Sequence, residues 1–145
     1  INIRGVLLCT KHGIPLLKRQ GGSIINMSSL MGLGGYPHRS AYSATKFAVI
    51  AITESVAHEV GEFGIRVNAI CPGAVNGELM ERVVAARAEK EGVPEEEIIR
   101  KNYTDKAAMR RWVEPEEVAA TALAMATDSF SAVTGESVRV DCGRM

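Results

Sequence analysis

Neither sign of charge is in excess: 17 Lys and Arg are matched by 17 Asp and Glu over 145 residues, for a formal net charge of zero. Without a basic or acidic surplus there is no electrostatic case for nucleic acid or an anionic membrane as partner. Cysteine is scarce. Cys9, Cys71 and Cys142 are odd in number, far apart and each set in an apolar or strand-like run, so neither a disulfide framework nor a metal site is indicated, and all three are expected to be buried, reduced thiols. No apolar run approaches the roughly 18 to 20 residues of a membrane span, and no charged-then-apolar leader opens the chain. A cytoplasmic protein is the expectation. Repeats, low-complexity tracts and internal linkers are missing too. The chain also lacks an initiating methionine and opens on "INIRGVLLCT" as though a helix were already under way, which is read as an N-terminally incomplete chain.

What is present is the composition of a globular protein, 46% hydrophobic and 23% charged, with one domain's worth of chain at 1–145. Apolar positions from Ile3 to Leu17 keep helical spacing, with Pro15 as a kink or early end. "SIINMSS" (23–29) is a short β-branched run suited to a strand buried on both faces. The glycines and proline of "LMGLGGYPHRS" mark a loop. From Ser40 or Ala41 to about Phe63, small and apolar residues recur so densely that the predicted helix must be covered on most sides. "GIRVNAICPG" (64–73) is a second buried strand. Residues 78–101 form two charged helices, with Gly92 ending the first and Pro94 in the first turn of the second. A helix from Pro115 to about Thr127 and a strand in "TGESVRVDCG" complete the order. Buried strands alternating with helices predict an α/β fold with a parallel sheet covered on both faces. Three strands are few for such a fold, so half of a larger doubly wound domain is expected.

Tyr42 and Lys46 in "YSATK" stand one turn apart on one helix face. An ammonium beside a phenol favours the phenolate, as a general acid or base requires. Taken alone, the pair reads far more readily as a packed ring beside a solvated amine. Its neighbours raise the interest. Ser28 and Ser29 end one strand and Pro72-Gly73 the next, both at the carboxyl edge of the sheet, where open α/β folds place ligands. A serine there either hydrogen-bonds a substrate oxygen or merely caps a loop.

In order and spacing, "NIRGVLLCT", "GGSIINMSS", "YSATK", "IRVNAICPGAV" and "TGESVRVDCG" resemble the short-chain dehydrogenase/reductase family along essentially the whole chain. The resemblance implies a Rossmann-type doubly wound sheet that binds NAD or NADP, with its N-terminal half, the glycine-rich turn and first strands, missing here. It implies Tyr42 as the acid/base on the substrate oxygen and Lys46 as the group that favours its phenolate and bonds the nicotinamide ribose. Ser29 would orient the substrate oxygen, with Ser28 its neighbour against the cofactor. Asn2 matches an asparagine whose carbonyl, freed by a local helix distortion, anchors a proton-relay water. Pro72, Gly73, Ala74 and Val75 match the loop passing the nicotinamide, with the Val75 backbone holding the carboxamide, and Asn68 helps fix the site wall.

Departures from the family pattern are visible. Gly77 stands where a Thr often contacts the cofactor, Cys142 replaces a glycine in "DCG", and "GLGG" at 32–35 is misplaced to serve as the phosphate turn. By resemblance the excursion from Gly77 to Arg111 covers the substrate, and Met31, Leu33, Tyr36, Leu79 and Met80 are expected to form a mainly apolar lining. Two functions follow as expectations. The first is an NAD(P)-dependent oxidoreductase interconverting a secondary alcohol and a ketone. The second is a truncated, catalytically incompetent chain that acts only through subunit association. In either case a homo-oligomer, dimer or tetramer, is expected through the Ala41–Val60 helix, and the chain alone is expected to be inactive.

Overall fold

The computed structural model describes residues 1–144. Helix α1 (Arg4–Leu17) leads to strand β1 (Gly22–Met27), helix α2 (Ser40–Val60) and strand β2 (Ile65–Pro72). Helices α3 (Glu78–Glu91), α4 (Glu95–Asn102) and α5 (Pro115–Ala126) then precede strand β3 (Ser137–Val140). The strands form one parallel sheet in the order β1-β2-β3, as the alternation of helices and buried runs requires.

Local chemistry sets the boundaries. Pro15 lies in the last turn of α1, where its missing N–H removes one ladder bond close to an end that is already due. α2 stops at Val60, three residues short of the expected end, because Gly61–Phe63 tighten into a 3-10 turn and Gly64 adopts the left-handed conformation at φ 67°. That reversal presents the Gly64 carbonyl to the N–H of Gly22 at 3.1 Å, which begins the register pairing Gly22 with Ile65. The loop after β1 is likewise partly ordered, with a 3-10 turn at Leu30–Gly32. Pro94 sits just before α4 in extended conformation rather than inside its first turn. α5 opens with Pro115 and a reciprocal capping box between Glu114 and Glu117, held by a bidentate Arg111–Glu117 pair at 2.7 and 2.6 Å.

The core follows strand alternation. Ile65 and Val67 face Val56, Ala57 and Val60 of α2, with Ile14 and Leu17 of α1 packed alongside. On the opposite face, the Ser23 hydroxyl and the Arg66 guanidinium both donate to the Met125 carbonyl of α5, at 3.1 and 2.8 Å. The sheet is therefore covered on both sides, but only β2 is buried along nearly its whole length. β1, expected to be buried on both faces, is largely half-exposed, because it is the sheet edge among the described residues. A second small core joins Val84 and Ala88 of α3 to Ile98 of α4, with Tyr103 and Trp112 against it and stacked at 4.9 Å. Among the described residues no helix is long and apolar enough to cross a membrane.

The cysteines differ from expectation. Cys71 is buried in β2, but Cys142 is half-buried and Cys9 is exposed on α1, whose outward face carries it. Cys142 also holds φ 55°, a left-handed conformation that a side chain with a β-carbon resists. Replacing it with glycine, Cys142→Gly, is expected to raise the unfolding free energy by about 1 kcal/mol; denaturant titration of the two forms measures this.

Candidate active site

The carboxyl edge of the sheet is assembled from β1, β2 and the amino-terminal half of α2. Polar contacts hold α2 to the end of β1. The Asn26 amide donates to the Thr53 hydroxyl at 2.9 Å inside the core. Seven residues earlier on the same helix, the Lys46 ammonium donates to the Met27 carbonyl at 2.9 Å. The Ser28 hydroxyl returns a bond to the Lys46 carbonyl, also at 2.9 Å. Lys46 is thus fixed to the strand at both its backbone and its side chain. One turn earlier stands Tyr42, 43% exposed, with the Lys46 ammonium 5.8 Å from its ring centroid.

The serines divide the two readings left open for them. Ser28 is buried and its hydroxyl faces inward onto Lys46, away from the open edge where a cofactor contact was expected. Ser29 does cap a turn, accepting the N–H of Met31 at 3.2 Å. That bond occupies a lone pair, and among the described residues the Ser29 hydroxyl hydrogen has no acceptor. It remains a donor at the edge.

After β2 the chain passes close under β3. Gly73 donates to the Val140 carbonyl at 2.9 Å, and a β-carbon on Gly73 would lie 2.8 Å from that of Asp141. Ala74 and Asn76 spend their carbonyl and N–H, respectively, on the two backbone groups of Val113. Strand alternation turns the intervening peptide groups of Val75 the other way, and among the described residues neither its N–H nor its carbonyl has a backbone partner. Gly77, at φ 142°, starts α3, its carbonyl accepting from Met80 and Glu81 at 2.9 and 3.1 Å.

Asn2 also joins this assembly. Its amide donates to the Thr45 hydroxyl at 3.1 Å, and Thr45 donates to the Tyr42 carbonyl at 2.8 Å. The helical ladder steps over Asn2: Gly5 N–H goes to Ile1 and Leu7 N–H to Ile3. Its carbonyl is free of backbone donors among the described residues. Asn68 is wholly buried; it donates to the Val133 carbonyl and accepts from the Glu136 N–H, which anchors the approach to β3.

The expected apolar lining is not brought together. Leu33 and Tyr36 line a cavity of ≈ 230 Å³ with Arg139 and Arg144. Met80 lines a different one of ≈ 80 Å³ beside Trp112, and Leu79 is 73% exposed. The helical excursion folds on its own small core, which pulls Met80 toward α4. Thr45, Thr53 and Gly32 escaped the sequence reading. The threonines fall three and eleven residues after Tyr42, positions on its own helical stripe, which was the available signal. Cys71 lies beneath the site beside Ser28, and burial pushes its thiol pKa up despite that neighbour and the Lys46 charge.

The whole chain is similar to known oxidoreductases. The family model described as Enoyl-(Acyl carrier protein) reductase matches residues 1–144. The D-beta-hydroxybutyrate dehydrogenase of Rhizobium meliloti is 35% identical over 144 residues, 99% of this chain and 56% of that protein. The crystal structure of sorbitol-6-phosphate 2-dehydrogenase from Erwinia amylovora superposes with a TM-score of 0.91 at 32% identity, covering 100% of this chain and 57% of that one. A structure of ElxO with NADP bound gives a TM-score of 0.82 at 28% identity, covering 98% of this chain and 54% of that one. The chain spans about half the length of the relatives it matches.

Thiol accessibility tests the packing beneath the site. With a chromogenic disulfide under native conditions, Cys9 is expected to react at once and Cys71 only after denaturant is added, since both burial and a raised pKa suppress its thiolate. Rapid native modification of Cys71, located by mass spectrometry, would contradict the packing.

Proposed function

Since the chain belongs to the short-chain dehydrogenase/reductase family, we propose that it carries the proton-transfer machinery of an NAD(P)-dependent oxidoreductase interconverting a secondary alcohol and a ketone. The observation that supports this reading is the Lys46 ammonium 5.8 Å from the Tyr42 ring on a helix that Lys46 and Ser28 tie to the end of β1, where Ser29 follows.

The residues present fit such a cofactor. The unpaired N–H and carbonyl of Val75 form a donor and an acceptor on one residue, complementary to a carboxamide, and Pro72, Gly73, Ala74 and Gly77 shape the loop that presents them. The nicotinamide cofactor supplies or accepts the hydride. Around that exchange, Tyr42 gives the substrate oxygen a proton in reduction and removes it in oxidation, so a ketone plus hydride and proton becomes an alcohol. Ser29 donates to the same oxygen and stabilises negative charge developing there. Lys46 spends one of its three ammonium donors on Met27, leaving two for the phenol and the cofactor ribose. The free carbonyl of Asn2 supplies an acceptor for a water, and the Asn2–Thr45–Tyr42 bonds tie that acceptor to the helix carrying the acid/base. NAD or NADP serves this chemistry equally. Asn2, Ser29, Tyr42 and Lys46 are its proposed catalytic residues.

In the intact protein, Tyr42→Phe is expected to lower kcat at least ~100-fold, the scale of general acid–base catalysis, with cofactor affinity within twofold of the native value. Lys46→Ala is expected to reduce both. Steady-state turnover with nicotinamide-fluorescence titration reads the two quantities, and substantial activity in Tyr42→Phe would remove the acid/base assignment.

A specific surface favours association as a companion property. Ala44, Phe47 and Ala51 are exposed at helical spacing on α2, and Leu7 and Leu8 of α1 are also more than 40% exposed. We infer that a second copy of the chain covers this stripe. Phe47→Glu is expected to shift the intact protein to a smaller species in light scattering; an unchanged mass would count against this face.

A further inference from the structure

Resting on the proton-transfer reading above, we propose that Gly32 and Ser28 are positioning residues that act together as the spacer setting the approach of the Ser29 strand end to the Tyr42–Lys46 helix. The 3-10 turn Leu30–Gly32 begins at Ser29, and Gly32 is buried, its N–H bonded to the Ser29 carbonyl at 2.8 Å. The turn therefore moves with Ser29. On its other side it lies against the backbone of α2. A β-carbon built on Gly32 would fall 2.4 Å from the Ser28 hydroxyl oxygen and 2.8 Å from the Lys46 carbonyl oxygen. The Lys46 carbonyl carbon would be at 3.0 Å.

These contacts are not loosely adjustable. The Ser28 hydroxyl is held on the Lys46 carbonyl at 2.9 Å, and the Ser28 N–H is held on the Ile70 carbonyl of β2 at 2.8 Å. The Lys46 carbonyl belongs to the middle of a helix turn whose side chain is itself anchored to Met27. The Ser28 hydroxyl, the Lys46 carbonyl and the bare α-carbon of Gly32 thus meet at one point, which leaves no room for a β-carbon among them. Any side chain at 32 must give way by roughly 0.6 Å from the Lys46 carbonyl oxygen of α2 and by about 1 Å from the Ser28 hydroxyl to reach ordinary van der Waals distance. The displacement moves the turn, and Ser29 bonded to it, relative to the helix that carries Tyr42. A misplacement of this size costs reactions that depend on orientation about 100-fold in rate. Cofactor contacts assigned to Val75 lie on a different segment and are not displaced.

Steady-state kinetics on the intact protein, with nicotinamide-fluorescence titration and a circular-dichroism melt on each variant, tests this. Gly32→Ala is expected to lower kcat about 100-fold with cofactor Kd within twofold. In Gly32→Ala/Ser28→Ala the hydroxyl contact is gone but the Lys46 carbonyl still blocks the methyl, so kcat is expected to stay at least ~30-fold below the native value on the same scale. Ser28→Ala alone, which leaves space rather than a clash, is expected to lower kcat several-fold without changing cofactor Kd, and Ser28→Thr, which keeps the hydroxyl, is expected to recover most of it. A Gly32→Ala kcat within threefold of native overturns the spacer, and recovery in the double variant overturns the role of the Lys46 carbonyl. If Gly32→Ala does not fold, the Ser28 pair decides: equal kcat in Ser28→Ala and the native protein overturns the proposal. Tyr42→Phe in the same assay keeps the outcomes separate. Its retention of turnover removes the proton-transfer reading and the spacer with it, whereas an inactive Tyr42→Phe beside a fully active Gly32→Ala removes the spacer alone.

Discussion

The attachment of Lys46 to the end of β1 is the constraint from which the rest of the site follows. Its ammonium reaches one strand carbonyl and its own carbonyl receives a strand hydroxyl, so a single helix residue is fixed in both translation and rotation. A lysine held only through its backbone would swing on four rotatable side-chain bonds, with a considerable entropy to lose on being ordered. Here much of that ordering is built into the fold. Rotation of α2 about its axis is further opposed by the buried Asn26–Thr53 bond. Tyr42, one turn away, inherits its direction from these anchors, because its own polar connection runs through the Thr45 hydroxyl to the backbone and leaves the phenol uncommitted.

Much of this arrangement was legible in the sequence. The order of elements followed from the alternation of β-branched runs with helical spacing, and the placement of Ser29, Tyr42 and the Pro72-Gly73 loop at one edge followed from parallel strands delivering their carboxyl ends together. Burial was legible for β2 and not for β1, since a run such as "SIINM" has the same composition in the centre of a sheet or at its border. The side chains of the loop after β1 were less legible still. Leu33 and Tyr36 share a cavity with Arg139 and Arg144, residues more than a hundred positions away, and no local pattern reports such a meeting. Cys9 failed for a similar reason: an apolar neighbourhood in sequence does not say which helix face a residue occupies.

Ser28 illustrates how one residue type hides two tasks. Adjacent serines alternate across an extended backbone, so one must face the helix and the other the open edge. Alternation alone could not assign which was which; the family resemblance gave Ser29 to the substrate oxygen and set Ser28 against the cofactor, whereas the Ser28 hydroxyl meets the helix. Ser28 faces inward because its N–H continues the sheet to Ile70 while its hydroxyl meets the helix.

Backbone, rather than side-chain identity, does most of the shaping at this edge. Val75 presents its peptide because Ala74 and Asn76 are committed to Val113. That tie holds only if the loop lies close beneath β3, which Gly73 permits by its approach to Asp141. By contrast, α3 and α4 pack on a core of their own, with Val84, Ala88 and Ile98 sharing no cluster with the sheet. The two parts meet at Val75 and Val113 and again where Ala107 bridges Arg144 after β3. Under the proposed function this amounts to a division of labour in which the sheet edge would fix the reacting geometry and side chains of the helical excursion could vary around it. A change of side chains on α3 or α4 can reshape what reaches Tyr42 while leaving the Lys46 anchors and the Val75 peptide where the sheet register puts them.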